Sequence, residues 1–320
     1  MKKVISLVFP ILLSLSGCLG LENRVITCSP NDKFVQAQEK KLHYKLIEGK
    51  DPTLFFVPGF TEDNRTYSKI MGNPLLEDYR KIVIDPWGSG KSDVLTKENK
   101  TKDVVKGIEL VMGETRTNSA LFVGQSRAGT IIPAYSQKHP EKVSGAILLS
   151  SYIDREHTKL NRASEIVKTP LIGETYLTLL KLFGNKKDVG KYLEMLVTNP
   201  SEELITNTHK LLKSRGGFNA YSMGIKHFHP EKLDLAEFYK NQPTRYIHGE
   251  KDCLIILKKP LPTTGNPSMR VLTDKKHMLT YEAPEIISKE IYNMVERIKE
   301  LNLIVFFDLF YHFNMRPYFF

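Results

Sequence analysis

A chain of 320 residues with 41% hydrophobic and 26% charged side chains can bury a full core, and its composition is not that of a disordered polymer. Its formal charge is +10, but the lysines are scattered in pairs such as Lys186-Lys187 and Lys275-Lys276 and never form a basic run of five. That pattern describes a solvated basic surface with weak attraction to anionic membranes and argues against a nucleic-acid site.

Met1-Lys2-Lys3 opens the chain with positive charge, and Val4 to Leu15 is apolar. The stretch is shorter than the roughly 20 residues that a spanning helix needs, and its layout is that of a secretory signal. It ends in Leu15-Ser16-Gly17-Cys18, which resembles the lipobox of bacterial lipoproteins. The resemblance implies removal of residues 1–17, acylation of Cys18 with lipid chains such as palmitate, and anchoring in the bacterial cell envelope. Leu19 follows the cysteine where aspartate could stand, which implies the outer membrane if the cell is Gram-negative. Losing residues 1–17 lowers the formal charge from +10 to +8. Of three cysteines in all, Cys28 and Cys253 then remain; they are no disulfide framework, and either pairing or two free thiols fits.

Residues 18–40 are polar and predict a tether. Beyond them the pattern changes. Leu42 to Glu48 alternates like a strand, and Thr53 to Val57 is an apolar run ending at Pro58-Gly59-Phe60-Thr61. Tyr67 to Asp78 predicts a helix, Lys81 to Ile84 a buried strand, and Val104 to Thr115 a further helix. Ser119 to Val123 and Lys142 to Leu149 read as strands again. Apolar runs alternating with helical stretches predict parallel strands joined by crossover helices. Residues 153–239 break this rhythm, with helical stretches at Glu174 to Phe183, Val189 to Thr198 and Glu202 to Lys213 and no convincing strand. They predict a helical insertion. Strands at Thr244 to His248 and Met269 to Leu272 and an amphipathic helix at Ala283 to Leu301 resume the pattern. Residues 301–320 form a tail of unassigned role, with eight aromatic residues among the last fifteen.

The stretch Gly124-Gln125-Ser126-Arg127-Ala128-Gly129 falls between a strand and a helix. A serine on so sharp a turn is pushed outward, and small residues around it let the strand and helix backbones pass closely. The usual pattern is G-x-S-x-G; here Ala128 stands two after the serine and Gly129 follows. A hydroxyl needs a base, an acid to orient that base, and N–H donors for the oxyanion. Asp252 follows the Thr244–His248 strand and His277 follows the last strand, so serine, acid and base occur in the order expected for a mostly parallel α/β sheet. Asp154, after Leu148-Leu149-Ser150-Ser151-Tyr152-Ile153, is a second candidate acid. His227-Phe228-His229 is a suggestive cluster, but it lacks a nearby cysteine or paired carboxylate and does not predict a metal site.

These stretches resemble the α/β-hydrolase fold family, in its serine-nucleophile branch with a helical cap. Pro58-Gly59-Phe60 stands where the family has a His-Gly-x oxyanion loop. Asp85-Pro86-Trp87-Gly88-Ser89-Gly90-Lys91-Ser92 resembles its D-x-x-G-x-G-x-S turn, and His277 with Glu282, Pro284 and Glu285 resembles its H-x4-E-x-P-E ending. The resemblance implies a core of residues 41–152 and 240–300 with a cap at residues 153–239. It implies Ser126 as nucleophile, His277 as base, Asp252 as orienting acid, and backbone N–H groups of Phe60 and Arg127 as oxyanion donors, with no metal or organic cofactor. Pro58 and Lys276 depart from the family's usual histidine and glycine, and no His-Gly-Gly-Pro-Gly stretch of the proline iminopeptidase kind is present.

The expected activity is that of a lipid-anchored serine hydrolase cleaving a small-molecule carboxylic ester, or a thioester or amide, through an acyl-enzyme. A catalytically weak binding protein of the same fold, carbon–carbon bond hydrolysis, acyl transfer and cofactor-free haloperoxidase chemistry are the alternatives. The side chain of Arg127, next to the serine, is expected to meet either a substrate anion or a carboxylate of the cap.

Overall fold

The computed structural model describes residues 29–60, 62–95, 101–153, 158–160, 175, 178, 184–213, 233, 235–257 and 267–314. Its centre is an eight-stranded sheet. In chain order the strands are β1 (Asp32–Ala37), β2 (Lys40–Ile47), β3 (Lys50–Val57), β4 (Tyr79–Ile84), β5 (Ala120–Gln125), β6 (Val143–Leu149), β8 (Thr244–Gly249) and β10 (Pro267–Leu272). Their order across the sheet is β1-β2-β4-β3-β5-β6-β8-β10. Strands β4, β3, β5, β6, β8 and β10 run parallel, while β1 and β2 join antiparallel at one edge.

Parallel strands covered on both faces read as unbroken apolar runs, which is the character of Leu54-Phe55-Phe56-Val57, all fully buried. Successive side chains point to opposite faces, and the core divides accordingly. Phe55, Val57, Phe122, Ala146 and Leu148 pack with helices α1 (Thr101–Glu114), α2 (Ala128–Lys138) and α5 (Leu235–Asn241). Leu54, Phe56, Leu121, Val123, Ile147 and Leu149 pack with α6 (Pro284–Asn314) and with Tyr67, Ile70 and Leu76. Within residues 153–239 lie α3 (Lys186–Leu196) and α4 (Glu202–Lys213). Their apolar faces form a separate small cluster that includes Met278, the residue after His277.

Four elements differ from the sequence expectations. Asp32–Ala37, inside the stretch read as a tether, is strand β1, paired with β2 across the two-residue turn Gln38-Glu39. One short strand with charged flanks carries too little alternation to be read alone. Tyr67–Asp78 is not one helix: short helical turns at Asn64–Tyr67, Ser68–Met71 and Pro74–Leu76 replace it, because Gly72-Asn73-Pro74 interrupts the helix. The region read as lacking strands contains β7 (Thr158–Leu160), which pairs antiparallel with β9 (Ile255–Leu257) just after Asp252. Three residues are too few for a period to show. Finally, α6 continues past Leu301 to Asn314, into the aromatic tail. Most of the predicted Glu174–Phe183 helix, with Cys18, Cys28, Asp154, His227 and His229, lies outside the described residues.

Candidate active site

The crossing of β5 and α2 sets the position of Ser126. A Cβ on Gly124 would lie 2.5 Å from Ala128 Cβ, and one on Gly129 would lie 2.5 Å from Tyr152 O. Gly124 therefore lets strand β5 and helix α2 cross, and Gly129 lets the start of the helix pack against Ser151-Tyr152, the segment that follows β6. This also explains why alanine is accepted at position 128: the facing Gly124 leaves room for its methyl. Between them Ser126 takes φ 55°, in the left-handed region that non-glycine residues rarely occupy. Its backbone is held by Ser126 N–H donating to Leu149 O at 2.9 Å and by Tyr152 N–H donating to Ser126 O at 3.0 Å.

His277 and Asp252 arrive from the ends of β10 and β8. Asp252 Oδ2 lies 2.8 Å from His277 Nδ1, and both residues are buried. The other oxygen, Oδ1, accepts from Leu254 N at 2.9 Å and Ile255 N at 3.0 Å, which fixes the carboxylate in a local turn. Burial works against charge at both residues, but their mutual attraction outweighs it. Asp252 is held below the usual carboxylate range and His277 above the ordinary imidazole value, with Glu62 adding to the latter. Gly249 lets the two loops meet, since a Cβ there would lie 2.2 Å from Lys276 O. Gln125, the residue before Ser126, donates Nε2 to His277 O at 2.8 Å and ties elbow and histidine loop together. Among the described residues no hydrogen bond joins the Ser126 hydroxyl to His277; such bonds commonly tighten only when substrate binds.

The loop after β3 brings Gly59 against the serine: a Cβ on Gly59 would lie 3.2 Å from Ser126 Cβ. Phe60 thus follows a glycine in contact with the elbow. Arg127 is the N-terminal cap of α2, where backbone N–H groups and the helix dipole favour negative charge. The Arg127 side chain is buried, which pulls its pKa down to about 10, still a cation at neutral pH. Asp103 of α1 contributes a negative charge that opposes this shift.

The D-x-x-G-x-G-x-S turn is a buried latch. Asp85 accepts from Asn64 N at 2.7 Å, Asn64 Nδ2 at 2.8 Å and Lys91 N at 2.8 Å, and its Oδ2 lies 2.7 Å from His43 Nδ1. Gly90 has φ 50°, and a Cβ there would collide with Asp85 Oδ2. The end of α3 and the residues after it rest on the histidine loop. Met278 N donates to Leu196 O at 3.0 Å, the Lys276 ammonium donates to Glu194 O, and Glu282 accepts from Thr198 N. Cys253, beside Asp252, is an exposed free thiol.

Two residues near the serine escape sequence reasoning. Gln125 looks like filler inside the motif. Glu62 is partly buried, and its Oε2 accepts from Gly59 N at 2.8 Å. Its position three residues after the loop glycine is the signal that could have found it.

A sequence profile described as alpha/beta hydrolase fold matches residues 52–172, which include Gly59, Asp85 and Ser126 but not Asp252 or His277. A proline iminopeptidase of Arabidopsis thaliana is 37% identical over 82 residues, 25% of this chain, and the match spans 22% of that relative's length. Haloalkane dehalogenase DbeA from Bradyrhizobium elkani superposes with TM-score 0.70 at 16% identity, covering 84% of this chain and 99% of that one. A thermophilic esterase from Thermogutta terrifontis gives TM-score 0.65 at 16% identity, covering 83% and 98%. Identities this low speak for architecture alone, and that architecture agrees with the strand order, the elbow and the profile: the chain has the α/β-hydrolase fold.

Proposed function

We propose that the protein is a serine hydrolase that cleaves a small-molecule carboxylic ester through an acyl-enzyme. The observation that carries this reading is Ser126 at φ 55° on the β5–α2 turn, with the buried His277–Asp252 pair at 2.8 Å on the adjoining strand ends. In this reading Ser126 Oγ attacks the ester carbonyl carbon while His277 Nε2 takes the hydroxyl proton. Asp252 holds Nδ1–H and stabilises the imidazolium. The carbonyl oxygen becomes an oxyanion that accepts from the Phe60 and Arg127 backbone N–H groups. Collapse of this intermediate breaks the bond to the alcohol, which leaves with the proton from His277. Water, deprotonated by His277, then attacks the acyl-serine, and the acid departs as Ser126 regains its proton. No step requires a metal or organic cofactor.

A panel of p-nitrophenyl esters of increasing chain length, with a fluorophosphonate probe alongside, tests the reading. Probe labelling of Ser126 and turnover of at least one ester are expected. Absence of both would favour a binding protein that retains the fold. Amide cleavage is the second reading, favoured by the 37% identity to a proline iminopeptidase; faster turnover of proline p-nitroanilide than of any ester would select it.

The same proposal places the enzyme on the bacterial envelope through lipid on Cys18. Among the described residues no helix is long and apolar enough to cross a membrane. A Cys18→Ser variant is expected to lose fatty-acid labelling and to leave the membrane pellet. A wild-type protein that never takes up a fatty-acid analogue in a bacterial host would refute the anchor.

A further inference from the structure

We propose that Glu62 forms an anionic subsite beside the oxyanion loop, which selects substrates carrying a quaternary or substituted ammonium group a few bonds from the scissile carbonyl. This inference rests on the serine-hydrolase reading of Ser126. Its first ground is position. Glu62 Oε2 lies 3.0 Å, and Ser126 Cβ 3.2 Å, from the point that a Cβ on Gly59 would occupy, so this carboxylate oxygen and the Cβ that carries the nucleophile stand within about 6 Å of each other. A cation bound at Glu62 is therefore within reach of a small ester whose carbonyl carbon sits on Ser126.

The second ground is charge balance. Asp63, its neighbour, is neutralised by Arg65, with Nε–Oδ1 at 2.9 Å and Nη2–Oδ2 at 2.6 Å. Asp252 is paired with His277. Glu62, by contrast, has no salt bridge among the described residues; its hydrogen bond comes from a neutral donor, the Gly59 N–H. Removing a carboxylate from water without a counter-charge is costly, and here the cost appears as a pKa raised by burial to about 7. The charges it senses are those of His277 and Asp63, and the phenols of Tyr67 and Tyr281 sense it in turn. None of these supplies a permanent cation, so a cationic substrate group would complete the site.

The hydrogen bond to Gly59 separates charge from structure. Glutamine at position 62 keeps a carbonyl oxygen to accept that bond and loses only the charge. The backbone contact across the same turn, Glu62 N to Gly59 O at 3.5 Å, is weak, so an alanine would disturb the loop itself and is the poorer probe.

The test uses two isosteres, choline and 3,3-dimethylbutan-1-ol, which differ in charge and not in shape. Their dissociation constants are measured at pH 8 on the Ser126→Ala protein, where no turnover is needed. Choline is expected to bind about tenfold more tightly, the order of a single charge pair at this range under partial screening. In the Ser126→Ala/Glu62→Gln protein the two are expected to bind equally. Equal affinities in Ser126→Ala itself would overturn the proposal, as would a choline preference that survives Glu62→Gln in a protein of unchanged melting temperature. The first of these needs no Glu62 variant, so the proposal stays exposed if that variant fails to fold. Failure of the fluorophosphonate to label wild type would instead refute the hydrolase reading, whatever the two ligands do.

Discussion

The chain contains two buried histidine–aspartate pairs of nearly the same geometry, and their surroundings differ. His277 Nδ1 lies 2.8 Å from Asp252 Oδ2, and His43 Nδ1 lies 2.7 Å from Asp85 Oδ2. The difference is at the other ring nitrogen. His43 Nε2 is taken by Asp32 Oδ1 at 3.0 Å, and Asp32 is also paired with Lys91. With both nitrogens bound to carboxylates, His43 has no site left to receive a proton from a hydroxyl. Among the described residues, no hydrogen bond occupies the second nitrogen of His277. Asp85 is saturated by Asn64 and Lys91 as well as His43, so its pair is a strut joining β1, β2 and the end of β4. A histidine–aspartate contact thus says little by itself. The partner of the second nitrogen decides whether the ring can work or only hold.

The largest test of this contrast is on the serine. Ser126→Ala is expected to abolish fluorophosphonate labelling and to lower ester turnover by about 10⁴-fold or more, with an unchanged circular dichroism spectrum. Retained turnover would move the chemistry elsewhere. Next comes the acid. Asp252→Asn is expected to reduce kcat by roughly 10² to 10⁴, because the acid sets the histidine tautomer and stabilises its charged form. Asp154→Asn should cost less than about tenfold; the reverse order would transfer the role to Asp154.

Asp85→Asn should behave in the opposite way to Asp252→Asn. Breaking a buried, fully used carboxylate network costs about 3–5 kcal/mol of stability. The loss should appear in the denaturant midpoint, while kcat per folded molecule falls far less than in Asp252→Asn, because Asp85 bonds to His43, Asn64 and Lys91 and not to Ser126 or His277. A hundredfold fall in kcat at unchanged stability would make the two pairs functionally alike.

The smallest expected effect is on the pH profile. In the proposed mechanism the neutral form of His277 is the base, so kcat/KM should rise as pH increases through its pKa, which lies above the ordinary 6.5. Asp252 and Glu62 both raise that pKa. Glu62→Gln removes one negative charge, makes the imidazolium less favourable and should move the acid limb to lower pH. An unmoved or upward-shifted limb would mean that Glu62 does not act on His277.

The fold class was legible because fully apolar runs such as Leu54–Val57 and Ile147–Leu149 can belong only to strands buried on both faces or to equally buried helices, and their short length selects strands. Ser126, Asp252 and His277 were legible as candidates from the Gly124–Gly129 turn and from their order at strand ends. Strand β1 was not, because its role depends on a partner strand and on the His43–Asp32 contact, and neither leaves a local pattern.

Other properties became visible only when distant segments met. Ala128 reads as a departure from the motif until Gly124 is seen facing it; the requirement is on the sum of two side chains, which no single position records. Asp85 and Asp252 look alike along the chain, each beyond a strand end, yet their surroundings differ in what binds the histidine's second nitrogen. Glu62 looks like any polar loop residue, but its distance from Ser126 follows from how the β3 loop packs on the β5–α2 turn. Local patterns record periodicity, turn chemistry and order along the chain. Which charges are paired, and which donors are already used, is a property of three-dimensional neighbours and is decided only when the chain closes on itself.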